Sequence, residues 1–89
     1  MVTMFVRHTV TDFAKWKQVY DGMSNVQQRM GVTREDVYRA ADNPNDVTVT
    51  HEFASLEAAQ AFAGSDELHS AMAQAGLAGA PSVWFASKE

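Results

Sequence analysis

The sequence contains no cysteine, few basic residues and no long apolar run. Without cysteine the chain can form neither a disulfide nor a thiolate metal site, and it has no thiol nucleophile. Its 89 residues can build only a thin core, because a domain of this size buries about 60–65% of the surface that its unfolded chain exposes. We therefore expect self-association to supply part of its stability.

The charge balance argues against a nucleic-acid partner. The chain has 7 Lys and Arg against 11 Asp and Glu, a net charge of -4, whereas a surface that follows phosphates needs clustered positive charge. No stretch approaches the ~20 apolar residues of a membrane span, and the start of the chain lacks the features of a signal peptide. We expect no nucleic-acid or membrane partner and a cytoplasmic location.

Alternation of apolar and polar residues predicts the strands. Residues 2–10 alternate strictly and indicate a first strand. Residues 37–41 indicate a short second strand, and the turn-forming residues 42–45 predict a hairpin. Residues 47–53, β-branched at four of seven positions, predict a third strand. Residues 82–86 predict the last one.

Two helical segments are predicted between the strands. An N-cap at Thr11 or Asp12, apolar residues at spacings of three and four, and a final Gly31 predict one helix. A second helix is predicted to begin after Ser55, to break, and to resume over residues 66–75.

The order of these elements, βαββαβ, predicts an α+β fold of the ferredoxin-like type. Right-handed crossovers then place both helices on one face of an antiparallel four-stranded sheet, in a single domain spanning residues 1–89. The opposite face would carry Phe5, Tyr38 and Trp84 among threonines. Such an aromatic face needs a cover, so we expect a homodimer.

Three segments resemble a known family. They are VTDFAKW at 10–16, VYRAADNPN at 37–45 and AGLAGAP at 75–81. Together they resemble the short, antibiotic-biosynthesis-monooxygenase-like (ABM-like) members of the dimeric α+β barrel superfamily. The resemblance implies a homodimer whose two sheets face each other, with a pocket between the sheet and helices of each subunit. Relatives include cofactor-free monooxygenases acting on aromatic polyketides, polyketide cyclases and haem-degrading enzymes.

Three side chains are candidates for proton transfer in that pocket. His8 and His51 lie on the apolar side of their strands, and Tyr20 lies on the sheet-facing side of the first helix. Imidazoles beside an apolar pocket can donate or accept protons near neutral pH. The alternative is that both histidines are hydrogen-bonded at the ends of the sheet without a catalytic role. On antiparallel strands they are expected too far apart to share one metal ion.

Five further residues are candidate ligand contacts. Trp16 and Met23 follow the same helical stripe as Tyr20, and they form either a ligand wall or ordinary core. Many monooxygenase-like relatives have a tryptophan late in the third strand and a histidine in the second helix. Here those places hold Phe53 and Phe62, and Phe62 is the candidate pocket residue of the two.

Two charged or ionisable residues complete the candidate contacts. Arg39 could hold an enolate or carboxylate, and His69 could reach the pocket mouth. A solvated edge arginine and an exposed helical histidine are the alternatives.

Two functions are compatible with these residues. One is a cofactor-independent monooxygenase-like or cyclase-like enzyme that binds a small aromatic or apolar ligand between sheet and helices. The other is a non-catalytic ligand-binding or stress-response barrel protein. No glycine-rich phosphate loop, nucleophile-elbow serine or paired-histidine zinc motif is present, so we expect neither a cofactor nor a metal.

Overall fold

A computed structural model describes the whole chain, residues 1–89. Four strands and four helices follow one another in the order β1 (Val2–Thr9), α1 (Phe13–Asp21), α2 (Ser24–Arg29), β2 (Arg34–Ala40), β3 (Asn43–Phe53), α3 (Leu56–Ala63), α4 (Asp66–Gln74) and β4 (Ser82–Ser87). None of these helices has the length and the apolar character needed to cross a membrane.

The strands form one antiparallel sheet in the order β2-β3-β1-β4. This confirms the predicted α+β, ferredoxin-like arrangement. In the register of β1 with β3, Met4 lies opposite His51 and His8 lies opposite Val47. Since side chains alternate between the two faces of a strand, all four point to the same face, which the helices cover.

The buried apolar residues divide into two core clusters at opposite ends of the covered face. The first core cluster consists of Met4, Val6, Met23, Phe53, Ala59 and Phe62. The second core cluster consists of Val10, Trp16, Val47, Val49 and Ala75. Helix α3 contributes to the first core cluster, whereas α1 contributes to the second. A different helix therefore packs on each end of the sheet.

The predicted helix starts are confirmed by their capping hydrogen bonds. The Asp12 carboxylate accepts from the backbone N–H of Ala14, which settles the choice between Thr11 and Asp12. The Ser55 hydroxyl accepts from the N–H of Ala58 and begins α3. A serine likewise begins α4, at position 65. Each cap satisfies a donor that the first turn of a helix leaves unpaired.

The first helix is not continuous, and here the prediction was wrong. Helix α1 ends at Asp21, and α2 begins at Ser24 after a turn at Gly22 and Met23. Met23 precedes α2 without a side-chain cap, yet its own side chain is buried in the first core cluster. A positive-φ glycine, Gly31, follows α2 in the predicted terminating position.

The hairpin is tighter and its strands are longer than the sequence indicated. Ala40 pairs with Asn43, which leaves a loop of only two residues, and β2 begins at Arg34 rather than at position 37. The Asn43 side chain accepts from the N–H of Asn45 at 3.0 Å, which is the backbone hydrogen bond expected of a turn-forming amide, and Asn43 also begins β3. A register shift beside Ala40 accommodates this end of the hairpin.

Two aliphatic residues, one in a helix and one in a strand, are exposed. Leu56 begins α3 with 43% of its surface exposed, and Val83 on the edge strand β4 is 42% exposed. On the uncovered face, the rings of Phe5 and Trp84 stack with centroids 5.3 Å apart, and Tyr38 is 56% exposed. The aromatic open face is therefore present as predicted.

Candidate functional site

A small cavity lies between the sheet and the helices, where the two core clusters meet. Its volume is about 40 Å³, which is enough for one or a few water molecules. Its walls are mostly apolar and come from both clusters and from helix α4. The lining residues are Val6, His8, Trp16, Val19, Tyr20, Met23, Gln27, Val49, His51, Phe62, Leu68, Ala71, Met72 and Ala75.

Stacked aromatic rings form one long wall of this cavity. Trp16 and Tyr20 are one helical turn apart on α1, and their ring centroids lie 5.0 Å apart. His8 meets the edge of Trp16 at 5.7 Å, and His51 lies 6.1 Å from Tyr20. The wall thus runs from one histidine to the other through two aromatic rings of the same helix. A flat apolar ligand would fit such a surface.

His51 is the most deeply placed ionisable group of the site. Its side chain is 3% exposed, and its Nε2 lies 3.3 Å from the Nε2 of Gln27. An amide nitrogen can only donate, so in this arrangement the imidazole Nε2 accepts and its proton sits on Nδ1. That Nδ1 has no hydrogen-bond partner in the chain. Burial lowers the pKa of His51 to about 4, partly opposed by the Glu35 carboxylate.

The stability of the protein is expected to fall as the pH drops from 6.5 towards 4. The pKa of His51 is about 4 in the folded chain and about 6.5 in the unfolded chain, so in this window only the unfolded chain binds the proton. The loss should approach about 3 kcal/mol in the free energy of unfolding. Urea denaturation at several pH values would measure it.

The matched control is His51→Phe, which keeps a ring of similar size but cannot titrate. The other ionisable groups are common to both proteins, so the difference between them isolates the imidazole. A wild-type protein that loses no more stability than His51→Phe between pH 6.5 and 4 would contradict the assignment. Burial also lowers the pKa of His8, which adds to the loss in both proteins with the same sign.

Tyr20 connects the cavity to the edge of the sheet. Its hydroxyl donates to the carboxylate of Glu35 on β2, and Glu35 itself is exposed to solvent. Burial raises the pKa of Tyr20 well above its ordinary value, and the hydrogen bond to Glu35 adds to this effect. Tyr20 therefore stays protonated at neutral pH, although a hydrogen bond with the Gln27 side chain partly opposes the rise in its pKa.

His8 lies at the other end of the aromatic wall. It is 7% exposed, and neither of its ring nitrogens has a hydrogen-bond partner in the chain. Met4 lies opposite His51 in the register, and His8 is four residues further along the same strand, a distance of about 13 Å. One metal ion cannot bridge that distance, as the sequence indicated. No group of three or more His, Asp or Glu side chains is placed to hold a metal ion.

The structure places six of the eight predicted site residues on the cavity wall: His8, Trp16, Tyr20, Met23, His51 and Phe62. Two lie elsewhere. The Arg39 guanidinium sits 3.9 Å from the ring centroid of Phe13 and donates to the carbonyl of Pro44. His69 is exposed on α4, with Nε2 3.2 Å from the carbonyl oxygen of Ala63. Both side chains belong to exposed residues outside the cavity.

Two residues of the site were missed by sequence reasoning, Gln27 and Glu35. The predicted second strand began at position 37, so the inward position of Glu35, opposite His51 in the register, went unnoticed. Extending the alternation backwards from Val37 would have found it, since Glu35 and Val37 share a face. Gln27 follows Met23 by four residues, which is a helical spacing, but nothing in the sequence indicates that it reaches His51.

Comparison with known proteins gives the fold. No protein-family model matches the sequence, and no curated protein does. A Bordetella bronchiseptica protein named for the antibiotic biosynthesis monooxygenases superposes with a TM-score of 0.86 at 14% identity, covering 99% of this chain and 96% of that one. A variant of SnoaB, a cofactor-independent oxygenase from Streptomyces nogalater, superposes with a TM-score of 0.78 at 22% identity, covering 98% and 91%.

The chain has the ABM-like fold. A Caulobacter crescentus protein, also named for these monooxygenases, agrees with a TM-score of 0.81 at 18% identity, over 99% of this chain and 89% of that one. The ABM-like fold predicted from the three sequence segments is thus confirmed. At these identities the likeness concerns the fold alone, and the chemistry has to be argued from the residues of this chain.

Proposed function

We propose that this protein is a cofactor-independent, monooxygenase-like enzyme that binds a small aromatic ligand in the cavity between its sheet and helices. The observation that carries the proposal is the Tyr20–Glu35 hydrogen bond, which leads from an aromatic-walled cavity to a solvent-exposed carboxylate. A ligand proton therefore has a route out of a mostly apolar site. The fold shared with SnoaB supports the same reaction class.

Proton removal would proceed through Tyr20. A ligand hydroxyl, such as the enol of an aromatic ketone, donates to the Tyr20 oxygen while Tyr20 passes its own proton to Glu35. Because Tyr20 gains one proton as it loses another, its raised pKa is no obstacle. The neutral His51 can donate from Nδ1 to the oxygen of the resulting enolate and stabilise its charge.

The enolate carbon then reacts with dioxygen, the only oxidant required. A CH₂ group loses one proton, and the electron pair of that C–H bond forms a C–O bond with dioxygen. The resulting peroxide anion takes back the proton and becomes a hydroperoxide. Loss of water from the hydroperoxide leaves a carbonyl, so that one CH₂ group and one O₂ give one C=O group and one water. The apolar walls keep bulk water from the anion and so favour its reaction with oxygen.

The cavity has to enlarge to hold a ligand, since ligand pockets usually measure about 300–1,000 Å³. Met23 and Met72, whose side chains are long and unbranched, form part of the helix-side wall. A groove of about 380 Å³ between α1 and α4 lies directly outside and shares Val19, Met23 and Ala71 with the cavity. Movement of the Met23 side chain would join the groove to the cavity and open a way in.

The active form would be a homodimer. Phe5, Tyr38 and Trp84 lie together on the uncovered sheet face, and a second copy of the same face is the simplest cover for them. Two sheets packed in this way would form the barrel and leave the helix-side cavity of each subunit free.

Anthrone, an aromatic ketone with an activated CH₂ group, is a suitable test substrate. We expect the wild-type protein to consume oxygen when anthrone is added. In a reaction under ¹⁸O₂ it should place one ¹⁸O atom in the anthraquinone product. Tyr20→Phe should lower kcat about 100-fold or more, since positioned proton transfer contributes roughly 10²–10⁴-fold. Glu35→Gln should have a similar effect.

The control is Tyr38→Phe, which removes the hydroxyl of the other tyrosine, on the uncovered face. It should leave kcat within about twofold of wild type, since Tyr38 is far from the proton route, with its side chain on the opposite face of the sheet from Glu35. Full activity of Tyr20→Phe would overturn the proposed proton route. A wild-type protein that binds anthrone without oxygen uptake would overturn the enzymatic proposal.

The second candidate is a non-catalytic ligand-binding or stress-response barrel protein. The small cavity volume, about 40 Å³, favours it, because such a space is close to ordinary packing. On this hypothesis the dimeric barrel itself is the functional object and the histidines are structural. Wild-type protein that consumes no oxygen with anthrone would favour this candidate, whether or not it takes up an aromatic probe.

A further inference from the structure

Three buried ring nitrogens on the cavity wall lack hydrogen-bond partners: both nitrogens of His8 and the Nδ1 of His51. Buried polar groups in folded proteins are nearly always paired, so each exception requires an explanation. His51 retains one partner, Gln27. His8 retains none, although it is 93% buried, with a relative exposure of 7%.

The surroundings of His8 offer no partner from the chain itself. Its ring meets the edge of Trp16, and the residue opposite it on β3 is the fully buried Val47. The salt bridge nearest along β1 joins Arg7 to Asp46, and Arg7 points to the opposite face of the sheet. A partner for His8 must therefore come from the contents of the cavity, which His8 lines.

We propose that His8 is a specificity-determining residue that hydrogen-bonds a polar group at the far end of the ligand. The inference rests on the proposed function, namely aromatic-ligand binding in this cavity. The ligand class follows from the geometry. Two imidazoles with free nitrogens stand at opposite ends of a wall of stacked rings, about 13 Å apart along the strand. The matching ligand is an elongated, planar aromatic molecule with an oxygen substituent at each end.

An oxygen substituent suits both ends because a neutral imidazole carries one donor and one acceptor nitrogen. A hydroxyl or carbonyl oxygen can pair with either. A ligand with oxygen at one end only would leave His8 unpaired and would forgo that hydrogen bond. His8 thus separates ligands that share one reactive end but differ at the other.

Two naphthols provide matched probes: 2,6-dihydroxynaphthalene has oxygen at both ends, whereas 2-naphthol has it at one. We expect the wild-type protein to bind the dihydroxy compound about five- to tenfold more tightly, as one additional neutral hydrogen bond would give. In His8→Leu the ratio of the two dissociation constants should fall to one or below, with the affinity for 2-naphthol unchanged or improved. Titration by calorimetry or ligand fluorescence measures both constants.

The control variant is His69→Leu, which removes the exposed histidine outside the cavity and should preserve the wild-type ratio. A preference for the dihydroxy compound that persists in His8→Leu would overturn the role of His8. The same holds if wild-type protein binds both naphthols equally, in which case aromatic-ligand binding stands and only His8 is excluded. If wild-type protein binds neither naphthol, ligand binding in the cavity is itself refuted, and the inference with it.

A measurement on the wild-type protein covers the case in which His8→Leu does not fold. The ¹⁵N chemical shifts of the His8 ring report hydrogen bonding at each nitrogen. They should move when 2,6-dihydroxynaphthalene is added and stay in place with 2-naphthol. Unchanged His8 shifts with bound dihydroxy compound would overturn the proposal, because a nearby water would then be the partner of His8.

Discussion

Replacing Phe62 by alanine is expected to lower the free energy of unfolding by about 3–5 kcal/mol, the usual cost of removing a fully buried phenylalanine ring. Phe62 has no exposed surface, and its ring centroid lies 5.7 Å from that of Phe53 and 5.2 Å from that of His51. Its loss would leave a hole between α3 and the sheet that neighbouring side chains fill only in part. Urea denaturation at neutral pH would measure the change.

Leu56→Ala is the matched control for Phe62→Ala. Both residues are large apolar side chains of α3, but Leu56 is 43% exposed whereas Phe62 is fully buried. We expect its replacement to cost less than about 1 kcal/mol, as is usual for surface substitutions. Equal losses for the two variants would mean that α3 packs on the sheet in a different orientation.

Replacing Trp84 by glutamate is expected to convert the proposed homodimer into monomers. The Trp84 ring stacks on Phe5 with an angle of 4° between the ring planes, on the uncovered face. In the dimer a glutamate there would lose its water without gaining a partner, which costs several kcal/mol. This corresponds to a dimer dissociation constant more than about 1,000-fold larger. Analytical ultracentrifugation at micromolar concentration would detect the resulting monomers.

Leu56→Glu serves as the control for Trp84→Glu. Leu56 has the same exposure as Trp84, 43%, but it lies on the helix side of the sheet, away from the proposed interface. The variant introduces the same charge and should remain dimeric. Wild-type protein that sediments as a monomer at micromolar concentration would contradict the homodimer proposal.

Most of the fold could be predicted because its signals are local. The alternation along β1 and β3 is nearly unbroken, and the capping residues Asp12, Ser55 and Ser65 mark helix starts by a hydrogen bond within three residues. Pairing partners are not local. Where β2 begins depends on the length of β3 beside it, so its first three residues, which include charged Arg34 and Glu35, lay outside the predicted strand.

The candidate site was predictable to the same extent. Strand parity placed His8 and His51 on the covered face, and helical spacing placed Tyr20 opposite them. The hydrogen bond of Gln27 to His51 depends on the direction that the chain takes after the turn at Gly22, and no pattern encodes that direction. The cavity volume depends on how side chains from four helices pack, which a single sequence does not specify.

The turn at Gly22 and Met23 has a mechanical consequence. Before it, Phe13, Val19 and Tyr20 pack against the second core cluster, and after it, Val26 and Met30 pack against the first. Each core cluster therefore has its own helical segment, and the cavity lies at the boundary between the two clusters. A ligand bound in the cavity could move the two core clusters slightly apart while each cluster stays packed. The volume of the interior can then increase without local unfolding.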